Sequence, residues 1–107
     1  MKEFKEKIPK RFKVGGQDIE VCQVEYCESD SLGDCFVAQG LINIAKYASR
    51  GVEQSETSRF NSFWHELTHS ILVTMGEYEL NKNETFVCSF SGFLTEAIRS
   101  LEYEEDN

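Results

Sequence analysis

A chain of 107 residues suits one domain, here residues 1–107, and leaves little room for a catalytic unit plus a separate binding module. A formal charge of −8 excludes the clustered basic surface that phosphate backbones demand, so no nucleic-acid partner is expected. With 40 % apolar residues and eight Phe there is hydrocarbon enough for a core, yet no run approaches the roughly 20 apolar residues that cross a bilayer, so no membrane partner is expected either.

Met1 to Lys13 mixes Lys and Arg with Glu3 and Glu6 and reads as a solvated arm. It lacks the apolar segment of an export signal, so the expected compartment is the cytoplasm. Cys22, Cys27, Cys35 and Cys88 contain no CxxC spacing and are expected to be reduced packing residues there. Arg11 to Val14 alternates as a strand, Gly15-Gly16 is a turn signal, and Gln17 to Cys27 is rich in β-branched and aromatic residues, which together predict a hairpin. In its second strand Ile19 and Val21 share one face while Cys22, Val24 and Tyr26 share the other. Either both faces are partly buried or a bulge near Val21-Cys22 exchanges them.

Glu28 to Asp34 reads as a loop, Cys35 to Ala38 and Leu41 to Ala45 as further strands, and Lys46 to Thr57 as an exposed connection. From Ser58 the period becomes helical. Phe60, Phe63, Trp64, Leu67, Ile71 and Met75 recur at spacings of three and four, and Gly76 is the expected stop. A second helix is expected from about Lys82 to Glu102, with Phe86, Phe90, Phe93, Leu94, Ala97 and Leu101 as its apolar stripe. The short link between the helices predicts an antiparallel pair. The acidic end, Glu102 to Asn107, reads as a frayed and solvated terminus.

Residues 65–69 read His-Glu-Leu-Thr-His, and the chain's two histidines both lie in this run. Side chains four apart on a helix stand one above the other, so both imidazoles face one point in space. Zinc takes nitrogen ligands at roughly 2.0–2.1 Å in a tetrahedron, and such a pair supplies half of it rigidly. Glu66 follows about 100° round the helix, beside the ion without ligating it, where a carboxylate can take a proton from water as general base. The predicted core stripe centres roughly opposite His65 and His69, so the histidines are expected to face a cleft walled by Leu72. A chance match to this motif in a chain of this length is rare, on the order of a few per thousand.

With no histidine left, the third ligand is expected to be a carboxylate. Glu84 is the choice because it opens the helix that returns beside the first. Glu77 and Glu79 are rivals, and Glu84 also fits the N3 position of a capping box begun by Asn81.

The run from His65 to Leu72, then Met75-Gly76-Glu77, Leu80-Asn81 and Glu84-Thr85-Phe86-Val87, resembles small phage- and prophage-encoded zincin-like metallopeptidases. These are reduced gluzincins similar in their core to the ImmA/IrrE-type enzymes. The resemblance covers Phe60 to Leu101 and extends more loosely to the strands. It implies an α+β, minimal zincin-like fold, a small twisted mixed sheet packed on the HExxH helix with a second antiparallel helix. It implies that Glu84, at the position matching the third ligand, completes a zinc site. It further implies that a substrate peptide lies along the edge strand before the active-site helix, here Leu41, Ile42, Asn43, Ile44 and Ala45. The chain departs from the larger enzymes in the earlier arrival of the Glu84 helix. It also lacks the C-terminal subdomain whose histidine stabilises the transition state, which leaves Tyr47 and Tyr78 as candidate oxyanion donors.

The function expected is therefore a zinc metalloendopeptidase acting on a protein or peptide, with Glu66 as base. The alternative is a catalytically silent module in which zinc ties the helices together and the 41–45 strand binds a partner uncut.

Overall fold

The computed structural model describes residues 7–104. The basic arm and acidic end assigned above therefore lie in part, as residues 1–6 and 105–107, outside the described residues. Arg11 to Lys13 belongs to strand β1 (Arg11–Val14), which pairs antiparallel with β2 (Gln17–Val24). Gly15 and Gly16 join them with φ of 58° and 85°. Two successive positive φ values define the turn whose twist matches a hairpin, and only glycine adopts both at little cost.

β2 runs without a bulge in continuous parallel register with β4 (Leu41–Ala45), from Glu20 opposite Leu41 to Val24 opposite Ala45. Of the two readings of β2, partial burial of both faces holds: Ile19 and Val21 are buried, Cys22 and Val24 half-buried. The next strand, β3 (Gly33–Phe36), begins two residues before the expected Cys35, and Val37–Gln39 forms a 3-10 turn where the strand was expected to continue. β3 pairs antiparallel with β4, giving a four-stranded mixed sheet of order β1-β2-β4-β3.

This order corrects one expectation. Leu41 to Ala45 is not an edge strand, because its backbone is paired with β2 on one side and β3 on the other. Ile42, Ile44 and Ala45 are fully buried, and a short, nearly continuous apolar run is the signature of an interior strand rather than an exposed one. Leu41, Ile42, Asn43 and Ile44 thus cannot receive a substrate by strand addition.

Ser55 caps helix α1 (Glu56–Met75), its hydroxyl accepting from the Ser58 amide at 3.1 Å, and Gly76 ends the helix as expected. A one-turn helix α2 (Tyr78–Lys82) leads to α3 (Glu84–Arg99), capped by the Asn83 side chain on the Phe86 amide. The chain is α+β: the sheet packs on one side of α1, and α3 runs antiparallel on the other. Ile19, Val21, Ile42, Ile44 and Phe63 form the core, with Phe12, Trp64 and Leu67 packed against it. No helix among the described residues is long and apolar enough to cross a membrane.

Two helical stripes differ from expectation. On α1, Ile71 and Met75 are exposed, and the sheet-facing positions of the last turns are Ser70, bonded to Cys35 Sγ at 3.3 Å, and Thr74, beside Gly15. The heptad-like spacing drifts round the helix, so the later apolar residues leave the sheet. On α3 the buried face is Val87, Ser91 and Thr95, while Phe90 and Phe93 are exposed; the helix stops at Arg99, short of the expected Glu102, so Leu101 lies beyond it and is exposed too.

Candidate metal centre

A buried glutamine sets where α1 starts. The Gln54 amide donates to Ala45 O at 2.5 Å, and its carbonyl accepts from the hydroxyls of Ser58 (2.6 Å) and Ser62 (3.0 Å). That ties the end of β4 to the first two turns of α1. From the α3 side the Arg99 guanidinium reaches the same two turns, donating to Asn61 Oδ1 at 2.7 Å and Thr57 O at 3.1 Å. It also lies over the Phe60 ring at 5.3 Å, locking the helices antiparallel. Neither anchor carries a motif visible in the chain.

With α1 so placed, His65 and His69 face a cleft of about 890 Å³ between β3, α1 and α3. Their rings are 5.0 Å apart, centre to centre. Glu84 reaches both: its carboxylate oxygens lie 3.4 Å from His65 Nε2 and 3.3 Å from His69 Nε2. One ligand atom from each of the three falls within 4.8 Å of the others, so His65, His69 and Glu84 form a group that could hold a metal ion. The competition between ligand and cap resolves itself, because Asn83 takes the cap and Glu84 sits at N1, its carboxylate free to turn to the histidines. The rivals Glu77 and Glu79 are exposed and do not line the cleft.

Asn81, read in the chain as a cap, has a different place. His69 Nδ1 and Asn81 Oδ1 are 2.7 Å apart. A carbonyl oxygen only accepts, so Nδ1 carries the proton and the Nε2 lone pair faces Glu84. His65 Nδ1 has the Cys88 thiol at 4.0 Å. Cys88 is exposed in the cleft, which corrects its assignment as a packing residue, whereas Cys27 is buried and Cys35 half-buried as expected. His65 is held below its ordinary pKa, first by burial and then by His69, against the pull of Glu84. The Nε2 atoms of both histidines and the Glu84 carboxylate thus converge on one point. The donor set fits a divalent ion.

Glu66 is buried beside the triad, facing the β3 edge. A Cβ on Gly33 would lie 3.1 Å from Glu66 Cγ and 3.3 Å from Asn43 O, so the absence of a side chain at Gly33 makes room for this carboxylate. Burial lifts the Glu66 carboxyl to about 7; His69 opposes the rise, and the Asp34 and Glu84 carboxylates add to it. A carboxyl poised there can both take and return a proton near neutral pH. Asp34, held by Asn43 Nδ2 at 3.0 Å, is a contributor that the sequence reading missed.

β3 presents an edge to the same cleft. The Ala45 amide donates to Leu32 O at 3.0 Å. Alternation along an antiparallel ladder then makes Asp34 and Phe36 the bonded positions and turns the N–H and C=O of Gly33 and Cys35 away from the sheet. Three smaller expectations are corrected. Leu72 is buried and does not line the cleft, and Val73 takes that place. Tyr47 packs on Tyr26 and Tyr78 is exposed, so neither reaches the triad's cleft. Comparison with protein-family models, curated proteins and solved structures finds no match to this chain.

Proposed function

We propose that the chain is a zinc-dependent peptidase in which His65, His69 and Glu84 hold the metal and Glu66 is the general base. The observation that carries this reading is the buried Glu66 carboxyl set next to the His65–His69–Glu84 group without belonging to it. Nitrogen and carboxylate donors in this number match the open sites of catalytic zinc. When bound, the ion supplies Lewis acidity, polarising a peptide carbonyl and acidifying water. Glu66 takes the proton from the attacking water and returns it to the leaving amine. The outward N–H and C=O groups of Gly33 and Cys35 hold the substrate as an added strand, which selects extended peptides over folded surfaces. The cytoplasm, a zincin-type ancestry and a protein or peptide substrate belong to the same proposal.

The decisive experiment compares wild type with Glu66→Gln for zinc content and for hydrolysis of a casein or peptide library. Equal zinc and a loss of hydrolysis on the order of 10²–10⁴ is the expected result. Equal hydrolysis by both proteins would remove the enzyme reading.

A second reading has its own support, since among the described residues no tyrosine or further histidine lines the triad's cleft to stabilise an oxyanion. In that reading zinc staples α3 to α1 through Glu84, and β3 binds a partner strand without cutting it. Zinc-dependent stability with no hydrolysis in either protein distinguishes it.

A further inference from the structure

The outermost helix wears its apolar face outward. Phe86, Phe90, Phe93 and Ala97 follow spacings of four, three and four, the pattern of a helix–helix seam. At 100° per residue these four fall within a sector of about 60°, roughly opposite the Glu84–Cys88–Arg99 side that lines the cleft. Phe86 and Phe90 stack on each other with centroids 5.6 Å apart, forming a preassembled aromatic ridge. Ile71 and Met75, on the side of α1 away from the cleft, are exposed as well.

The seam is also free of charge. A chain with 30 charged side chains has none from Thr85 to Thr95, and from Phe60 to Met75 only Glu66, which faces the cleft. Glu77, Glu79, Glu96 and Glu102 flank it in sequence, with Lys82, ion-paired to Glu79 at 3.8 Å, the one basic residue among them besides Arg99. Helices that lie on lipid surfaces carry Lys and Arg there instead.

Exposures of 47 % for Phe90, 72 % for Phe93, 39 % for Ile71 and 67 % for Met75 allow an area comparison. At roughly 200 Å² for a large side chain, they leave on the order of 500 Å² of apolar surface in water. A standard-size protein interface covers roughly 800 Å² per partner, and between identical chains about two-thirds of it is apolar. The two areas agree. Because the seam bears no charge of either sign, it also complements itself, as a twofold contact requires, and lets two acidic chains meet where repulsion is least.

We propose that the chain forms a twofold dimer through α3, the Phe86–Phe90–Phe93–Ala97 seam of one copy packing on that of a second, with Ile71 and Met75 at the margin. The cleft lies on the other side of the helix pair and stays open in both copies. The proposal is independent of zinc and of hydrolysis.

Sedimentation equilibrium from micromolar to millimolar concentration tests it. Wild type is expected to dimerise with a micromolar dissociation constant, and Phe93→Glu to weaken that at least about 100-fold. Phe93→Ser, which removes a ring that supports little within one chain, is expected to weaken it about tenfold while far-UV circular dichroism stays unchanged. Val52→Ser, an exposed apolar site far from α3 in sequence, serves as the control and is expected to leave the constant unchanged. A wild type that stays monomeric throughout, including one that instead floats with neutral phospholipid vesicles or needs a different protein to cover α3, overturns the proposal. So does a dimer that Phe93→Ser leaves as tight as before, or one that Val52→Ser disrupts.

Discussion

The side-chain carbonyl of Asn81 accepts from His69 Nδ1 at 2.7 Å, and this bond fixes which nitrogen of His69 faces Glu84. Outer-shell partners of this kind hold ring orientation and tautomer, and their loss costs metal affinity without removing a ligand. Asn81→Ala is expected to weaken zinc binding by about 10- to 100-fold in competition with a chromophoric chelator. Asn81→Asp, which retains an acceptor at the same reach and adds negative charge, is expected to keep or strengthen it. Equal affinities for wild type and Asn81→Ala would show that the bond positions nothing.

The metal-free protein should reveal the strain at Glu66 in its pH dependence. A carboxyl whose folded pKa is raised to about 7 binds its proton more tightly folded than unfolded. The stability it contributes is complete below the ordinary value of 4.5 and is lost as pH rises through about 7. Glu66→Gln removes this dependence. In chelator, the substituted protein should therefore match wild type near pH 4 and exceed it above pH 7, by up to about 3 kcal/mol in urea unfolding. His65 acts in the opposite sense: its lowered pKa makes stability fall as pH drops below the ordinary 6.5, in both proteins alike. A constant difference between the two proteins across this range would contradict the assignment.

Much of this site can be read in the chain because helical spacing is local chemistry. His65, Glu66 and His69 sit one turn apart whatever surrounds them, and Gly15-Gly16 and Gly76 end elements through their own backbone freedom. Glu84 could be reached by asking which carboxylate begins the returning helix. What escaped depends on neighbours. The interior position of β4 follows from β3 folding back beside it, and its apolar run was the available hint. Asn81 and Asp34 matter only because a short turn and a strand edge bring them to the triad. The outward Phe stripe of α3 inverts the usual rule, so periodicity found the stripe and misjudged which way it faces.

Gly33 links the sheet edge to the base. A methyl there would approach Glu66 Cγ to 3.1 Å and Asn43 O to 3.3 Å, closer than either neighbour tolerates without moving. Because Asn43 O belongs to an interior strand, Glu66 is the group that yields. Gly33→Ala is expected to cost about 1–3 kcal/mol of stability, the usual range for overpacking. It should also lower hydrolysis more than zinc affinity, since Glu66 is displaced and the three ligands are not. A loss confined to zinc binding, measured by chelator competition, would place the strain elsewhere.

The β3 edge can be tested by removing one hydrogen bond without breaking the sheet. Cys35 is a position whose N–H points away from β4, so proline there leaves the bonds at Asp34 and Phe36 in place. Asp34, the residue before it, is already in a strand, the conformation that a following proline favours. Cys35→Ala controls for loss of the thiol and its 3.3 Å contact with Ser70 Oγ. If peptides are held as an added strand, Cys35→Pro should raise KM by about tenfold beyond Cys35→Ala. That corresponds to one lost backbone hydrogen bond of about 1–1.5 kcal/mol, with zinc content unchanged. The same ratio should appear in the affinity of an uncleaved peptide measured by calorimetry, which separates binding from chemistry. Equal KM values for the two substitutions would mean that the peptide gains its hold from side-chain pockets in the cleft and not from the strand edge.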